Sequence, residues 1–157
     1  MPDQAAEAPA TFRGLQVIGF GQPGSLLRKE LVDLVLAGTK TATAGLLVEM
    51  ELDGETVPTP GMREAVIDAD GRFVGEIETT ECRIVRMADV DDAFAHDEGE
   101  GFADAAAWRA AHERYFGSYL DELRERLGDP GFALTDDTLI VCQRFRLADR
   151  YPEPVSD

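Results

Sequence analysis

The chain has 157 residues, 44% of them hydrophobic, which is enough for one domain with a real core and leaves little room for two. Fifteen Lys and Arg stand against 31 Asp and Glu, a formal charge of −16. Affinity for phosphate backbones depends on cationic side chains that release counterions, so a general coat protein for DNA or duplex RNA is excluded, and so is a cationic membrane-surface helix.

A small or lightly charged substrate suits this charge. No apolar run approaches the ~18 residues that span a bilayer, so no membrane partner is expected. The first residues, Met1 to Glu7, lack a basic and an apolar region, which predicts no secretory leader. Cys82 and Cys142 lie far apart in strand-like runs, outside any CxxC pair. They read as two buried thiols of a reduced cytoplasm, with no metal and no cofactor implied.

In chain order, residues 1–12 read as a loose tail rich in Ala, Pro and acids. Leu15 to Phe20 reads as a strand that runs into a turn. Gly19 to Gly24 spells GxGxxG, but no Rossmann unit follows and a proline precedes the last glycine, so the match reads as chance. Ser25 is a helix N-cap candidate. Leu27, Leu31, Leu34 and Val35 recur at helical spacing, with Arg28, Lys29, Glu30 and Asp33 on other faces. Gly38 stops that helix, immediately before Thr39-Lys40-Thr41-Ala42-Thr43.

The next segment reads as mostly β, with Asp70-Gly71 turning a hairpin and Phe73 to Met87 a long strand. Residues 89–104 hold seven acids and no Lys or Arg, and include Glu98-Gly99-Glu100-Gly101. Asp104 caps a helix bearing Trp108, His112, Tyr115 and Phe116. Gly117 interrupts it, and Ser118 with Asp121 is spaced as a capping box. Thr138 to Leu147 is a last strand, and from Asp149 the chain reads as loose. The domain is therefore expected over 13–150, with a C-terminal tail at 151–157. Strands in the middle and helices on the flanks predict an α+β fold around a small curved sheet or barrel.

Three groups carry chemistry. The chain keeps only two lysines, Lys29 and Lys40, beside thirteen arginines. Arginine holds its proton near neutrality, whereas a desolvated lysine releases it, so a site that needs a neutral amine must keep lysine. Thr43, three residues on, has the logic of a hydroxyl nucleophile activated by that amine. Glu98 and Glu100, flanked by glycines that allow close backbone approach, can hold the lysine or protonate a leaving amine. Trp108 and His112 share one helical face with Arg109 beside them, and an aromatic there can stack under a base. A bland reading stands beside each: a lysine at a helix end, a solvated acidic loop, and a core tryptophan packed by histidine.

Taken together, these pieces resemble the ASCH superfamily. The likeness rests on Phe20-Gly21, the Gly38-Thr39-Lys40-Thr41-Ala42-Thr43 signature, Pro58-Thr59-Pro60-Gly61, Ile77 to Glu81, Phe94 to Gly101, Trp108 to His112 and Val141 to Phe145, in that order over about residues 14–147. The resemblance implies a PUA-like β-barrel with a cleft between barrel and helices. Some members hydrolyse the acetamide of N4-acetylcytidine with a lysine, a threonine and a glutamate. Lys40 and Thr43 match the first two, and Glu98, with Glu100 its rival, matches the third. Phe20, Thr41, Glu100, Trp108, Arg109 and His112 would then line the substrate site. Other members are RNA-binding modules or ribonucleases, a role in which Arg63, Arg83, Arg86, Arg109 and Arg144 would have to converge into a basic track. A silent sensor of a modified nucleoside is a third reading. The sequence departs from the pattern at Gly61-Met62-Arg63 and at Gln143, where the family often has an acid or polar residue and a glutamate. The expected partner is a small modified nucleoside, with polymeric RNA disfavoured by charge.

Overall fold

The structure, a computed structural model, describes residues 10–157. Six strands form one mixed sheet in the order β1-β2-β4-β5-β6-β3. They are β1 (Thr11–Phe12), β2 (Leu15–Ile18), β3 (Ala42–Leu46), β4 (Arg63–Ile67), β5 (Phe73–Arg86) and β6 (Leu139–Val155). β2 and β4 pair in parallel, and every other neighbouring pair is antiparallel. Five helices flank the sheet: α1 (Leu26–Leu36), α2 (Leu47–Asp53), α3 (Asp92–Asp97), α4 (Ala105–Gly117) and α5 (Leu120–Leu127). The α+β class with flanking helices is thus the expected one. The sheet is strongly bent by register shifts in β5 but stays open, with β1 and β3 as its edges.

The local signals explain α1. Ser25 accepts from the amide of Arg28 and caps the helix. At the other end Gly38 takes φ +79°, and the amides of Thr39 and Lys40 bond back to the carbonyl of Leu34. That reversal turns Lys40 inward. Asp104 caps α4 by accepting from Ala107.

Four expectations are corrected. The span read as mostly β contains α2, which follows β3 without a break. The Ser118–Asp121 box does not form: Ser118 donates to the Tyr115 carbonyl, and Tyr119 precedes α5 without a side-chain cap. The C-terminal tail is strand. β6 runs to Val155, which pairs with Phe73, because the long β5 offers it a partner edge. The expected N-terminal tail ends in strand as well, Thr11 and Phe12 pairing with Gln16 and Leu15, while its residues 1–9 lie outside the described ones.

Alternation along β3 and β6 divides the core. Ala42, Leu46, Ile140 and Cys142 pack with Phe94, Trp108, Phe116 and Leu123 of the α3–α5 side. On the other face Phe145 packs with Phe20, Val66 and Ile77 and with Leu31, Val32 and Val35 of α1. Among the described residues no helix is long and apolar enough to cross a membrane.

Candidate active site

Lys40 is 1% exposed, and its ammonium lies among oxygen atoms. Its Nζ stands 2.7 Å from Oε2 of Glu100, 3.1 Å from Oε1 of Glu98 and 3.2 Å from the Glu98 carbonyl. These partners lie about sixty residues away in sequence, and backbone contacts hold them in place. Asp97 carbonyl oxygen accepts from the Thr41 amide at 2.9 Å and from the Thr41 hydroxyl at 3.2 Å. Gly99, at φ +69°, sits directly on the Thr39–Lys40 peptide, where a Cβ would come within 2.3 Å of the Thr39 carbonyl oxygen. Only glycine satisfies both conditions. Arg144 ties the other side, donating to Asp97 at 2.9 Å and to Glu81 at 3.0 Å with its guanidinium over the Phe94 ring.

Glu98 follows α3 at its C-terminal cap, where the helix dipole disfavours a carboxylate. Compensation comes from its partners. Besides Lys40, its Oε2 accepts a hydrogen bond from the Trp108 indole N–H. The His112 Nδ1 atom stands 2.9 Å from the Trp108 carbonyl, an acceptor, so Nδ1 carries a hydrogen. The imidazole stacks on the indole with centroids 4.1 Å apart. Trp108 is fully buried, so its ring is a wall of the core and a donor to Glu98.

Glu100 differs from Glu98 in being reachable, with 20% of its side chain exposed. Burial is the main cause that pushes its carboxyl above the usual range. Lys40 pulls it down, and the neighbouring Glu98 pushes it up again. Two carboxylates around one ammonium leave an excess of negative charge, and Glu100 is the member best placed to hold a proton.

The other expected site residues fall at varied distances from this cluster. Phe20 is buried against Phe145, and the Lys40 Nζ lies 6.0 Å from its ring centroid. Thr43 pairs across the sheet with Gln143, which places it on the face that carries Phe145. No hydrogen bond joins Thr43 to Lys40 among the described residues, since the amine is committed to the carboxylates. Thr41 is exposed and bound to Asp97. Arg109 turns away from the cluster, to Glu113 at 3.1 Å and Asp136 at 3.0 Å.

The four further arginines of the supposed basic track are also paired with acids. Arg63 meets Glu76 and Glu78, Arg83 meets Glu81, Arg86 meets Asp89 and Asp137, and Arg144 meets Glu81 and Asp97.

Sequence reasoning gave no role to a second buried network. Glu64, 3% exposed, accepts from the Gln143 amide at 2.7 Å and from Gln16 at 3.3 Å. Gln143 also donates to Thr79 at 2.9 Å. Burial raises the Glu64 pKa, and the two amides lower it. The sequence hint was Gln143 itself, the departure from glutamate.

Comparison with known proteins agrees with this architecture. Protein EF3133 of Enterococcus faecalis, a crystal structure, superposes with a TM-score of 0.75 at 29% identity, covering 90% of this chain and 80% of that one. An ASCH domain from Lactobacillus crispatus gives a TM-score of 0.65 at 29% identity, covering 78% and 73%. No curated protein matches this chain significantly. The model of the ASCH domain matches residues 16–149, and the chain accordingly belongs to the ASCH domain family.

Proposed function

We propose that the chain is an amidohydrolase that removes the acyl group from an N4-acylated cytidine or a similar modified nucleoside. The observation that carries this reading is the buried Lys40–Glu98–Glu100 cluster with a single solvent-reachable member. A structural ion pair needs one carboxylate. A second, with a raised pKa and access to solvent, is the arrangement of a proton-transfer group.

The roles divide as follows. Glu98, held by the Trp108 indole N–H, positions the amine. As substrate draws Lys40 from Glu100 toward Thr43, the ammonium leaves one proton on the Glu100 carboxylate, and the resulting neutral amine accepts the proton of the Thr43 hydroxyl as its oxygen adds to the acyl carbonyl. The protonated Glu100 gives its proton to the exocyclic nitrogen as the C–N bond breaks, which frees cytidine. Water, losing a proton to Glu100, then attacks the acyl-threonine, Lys40 returns a proton to the Thr43 oxygen, and the acyl group leaves as the free carboxylic acid. Phe20 borders the amine and offers an apolar wall. A small neutral base is supported over polymeric RNA because every arginine of the supposed track already faces an acid, in a chain of charge −16.

The test is incubation with N4-acetylcytidine and chromatographic detection of cytidine, wild type beside Lys40→Arg and Glu100→Gln. Each variant is expected to lose at least about a hundredfold in kcat, the scale of acid–base groups. Unchanged turnover in Lys40→Arg would remove the amine from the chemistry.

A further inference from the structure

Six polar or charged residues are buried among the described ones: Arg28, Lys40, Glu64, Thr79, Glu98 and Gln143. Five belong to the two networks above, and Arg28 belongs to neither. Its residue is 6% exposed, yet no carboxylate stands within ion-pair distance among the described residues. The guanidinium makes one hydrogen bond, from Nη2 to the Gly21 carbonyl at 2.8 Å, and its Nε has no partner. Burial pulls its pKa down, but a guanidinium stays charged at any physiological pH. A buried cation without an ion-pair partner is costly to the fold unless an anion meets it.

The surroundings suit an anion. Gly19 is exposed, and a Cβ there would lie 2.3 Å from Arg28 Nη2, so the guanidinium rests directly beneath a surface glycine. The loop from Gly19 to Ser25 joins β2 to the N-terminus of α1, where Ser25 takes the Arg28 amide and the amides of Leu26 and Leu27 have no intrahelical acceptor. This is the GxGxxG stretch set aside for want of a Rossmann unit, and it does lie between a strand and a helix. Asp68 and Tyr115 act on the Arg28 charge through space, but neither makes an ion pair or a hydrogen bond with it among the described residues. Asp68 accepts from the amides of Asp70 and Arg72, and the Tyr115 hydroxyl accepts from Gln22. Gly21 directly follows Phe20, the residue whose ring borders Lys40.

We propose that Arg28 and the Gly19–Ser25 loop bind a phosphate, which makes the substrate at Lys40 a nucleotide and not a bare nucleoside. A planar fork of donors beside a helix N-terminus fits phosphate oxygens. The phosphate site stands on Arg28 alone, whereas the nucleotide rests on the reading given under Proposed function.

Two measurements separate them. With inorganic phosphate against chloride at equal ionic strength, thermal unfolding of the wild type is expected to shift upward. The shift should be lost in Arg28→Gln and in Gly19→Ala, which keeps the charge and fills the space beside it. No shift in the wild type, or the same shift in a folded variant, overturns the site. Calorimetry then compares cytidine with its 5′- and 3′-monophosphates on the wild type. One monophosphate is expected to bind at least about tenfold tighter, the scale of charge-assisted hydrogen bonds. Equal affinities of wild type for all three overturn the nucleotide proposal without any variant. If phosphate shifts unfolding but no acylated compound is hydrolysed, the amidohydrolase reading falls and the phosphate site stands.

Discussion

The Lys40 cluster and the Glu64 network both bury acids beside strand β6, yet they solve the problem in opposite ways. Glu64 is met by the amides of Gln143 and Gln16, neutral donors that leave no counter-charge, and Glu64 itself is buried away from solvent. Glu98 and Glu100 are met by an ammonium, and Glu100 reaches the surface. Neutral donors make a buried acid a fixed part of the core. A shared ammonium with one acid too many makes protons exchangeable. The difference teaches where to look for chemistry: in the network whose charges do not balance and whose edge is open.

The largest expected effect comes from removing the ammonium. Lys40→Met leaves Glu98 buried without its cation and is expected to cost roughly 3–5 kcal/mol of stability. Gln143→Leu in the neutral network is expected to cost about 1–3 kcal/mol, because Glu64 and Thr79 both lose the amide they accept from. Chemical denaturation of both variants checks the order, and equal costs would break the comparison. Trp108→Phe keeps the ring stack on His112 but removes the N–H that Glu98 accepts. It is expected to cost about 1–3 kcal/mol in the same assay.

The smallest effect is on pH. Glu64 binds its proton more tightly in the fold than in the unfolded chain, where a glutamate titrates near about 4.3. Its contribution to stability is therefore complete below that value and is lost as pH rises through the raised one. Thermal unfolding followed as pH rises from about 4.3 is expected to show a declining share from Glu64 that is absent in Glu64→Gln. A slope unchanged by that substitution would place the titration elsewhere.

Much of the site was legible because its signals are local. The choice of lysine at position 40, the Gly38 stop and the glycines around Glu98 and Glu100 all speak within a few residues. Arg28 was not legible: helical spacing placed it off the apolar face, and only the vacancy at Gly19 lets the side chain fold back and bury itself. Glu64 was missed for a similar reason, since its partners come from β2 and β6. In the fold, the chain after Asp149 has a loose composition and becomes strand only because β5 is long enough to receive it. Helix α2 lacks a side-chain N-cap, so nothing at its start announces it.

The seat of Gly99 on the Thr39–Lys40 peptide has one more consequence. Main chain rests on main chain there, so the gap between the two segments contains no side chain whose replacement could widen or narrow it. Lys40 and Glu98 are thereby locked in register. Any change to the space around the Lys40 amine has to start at Glu100, the exposed member of the cluster, and proceed outward.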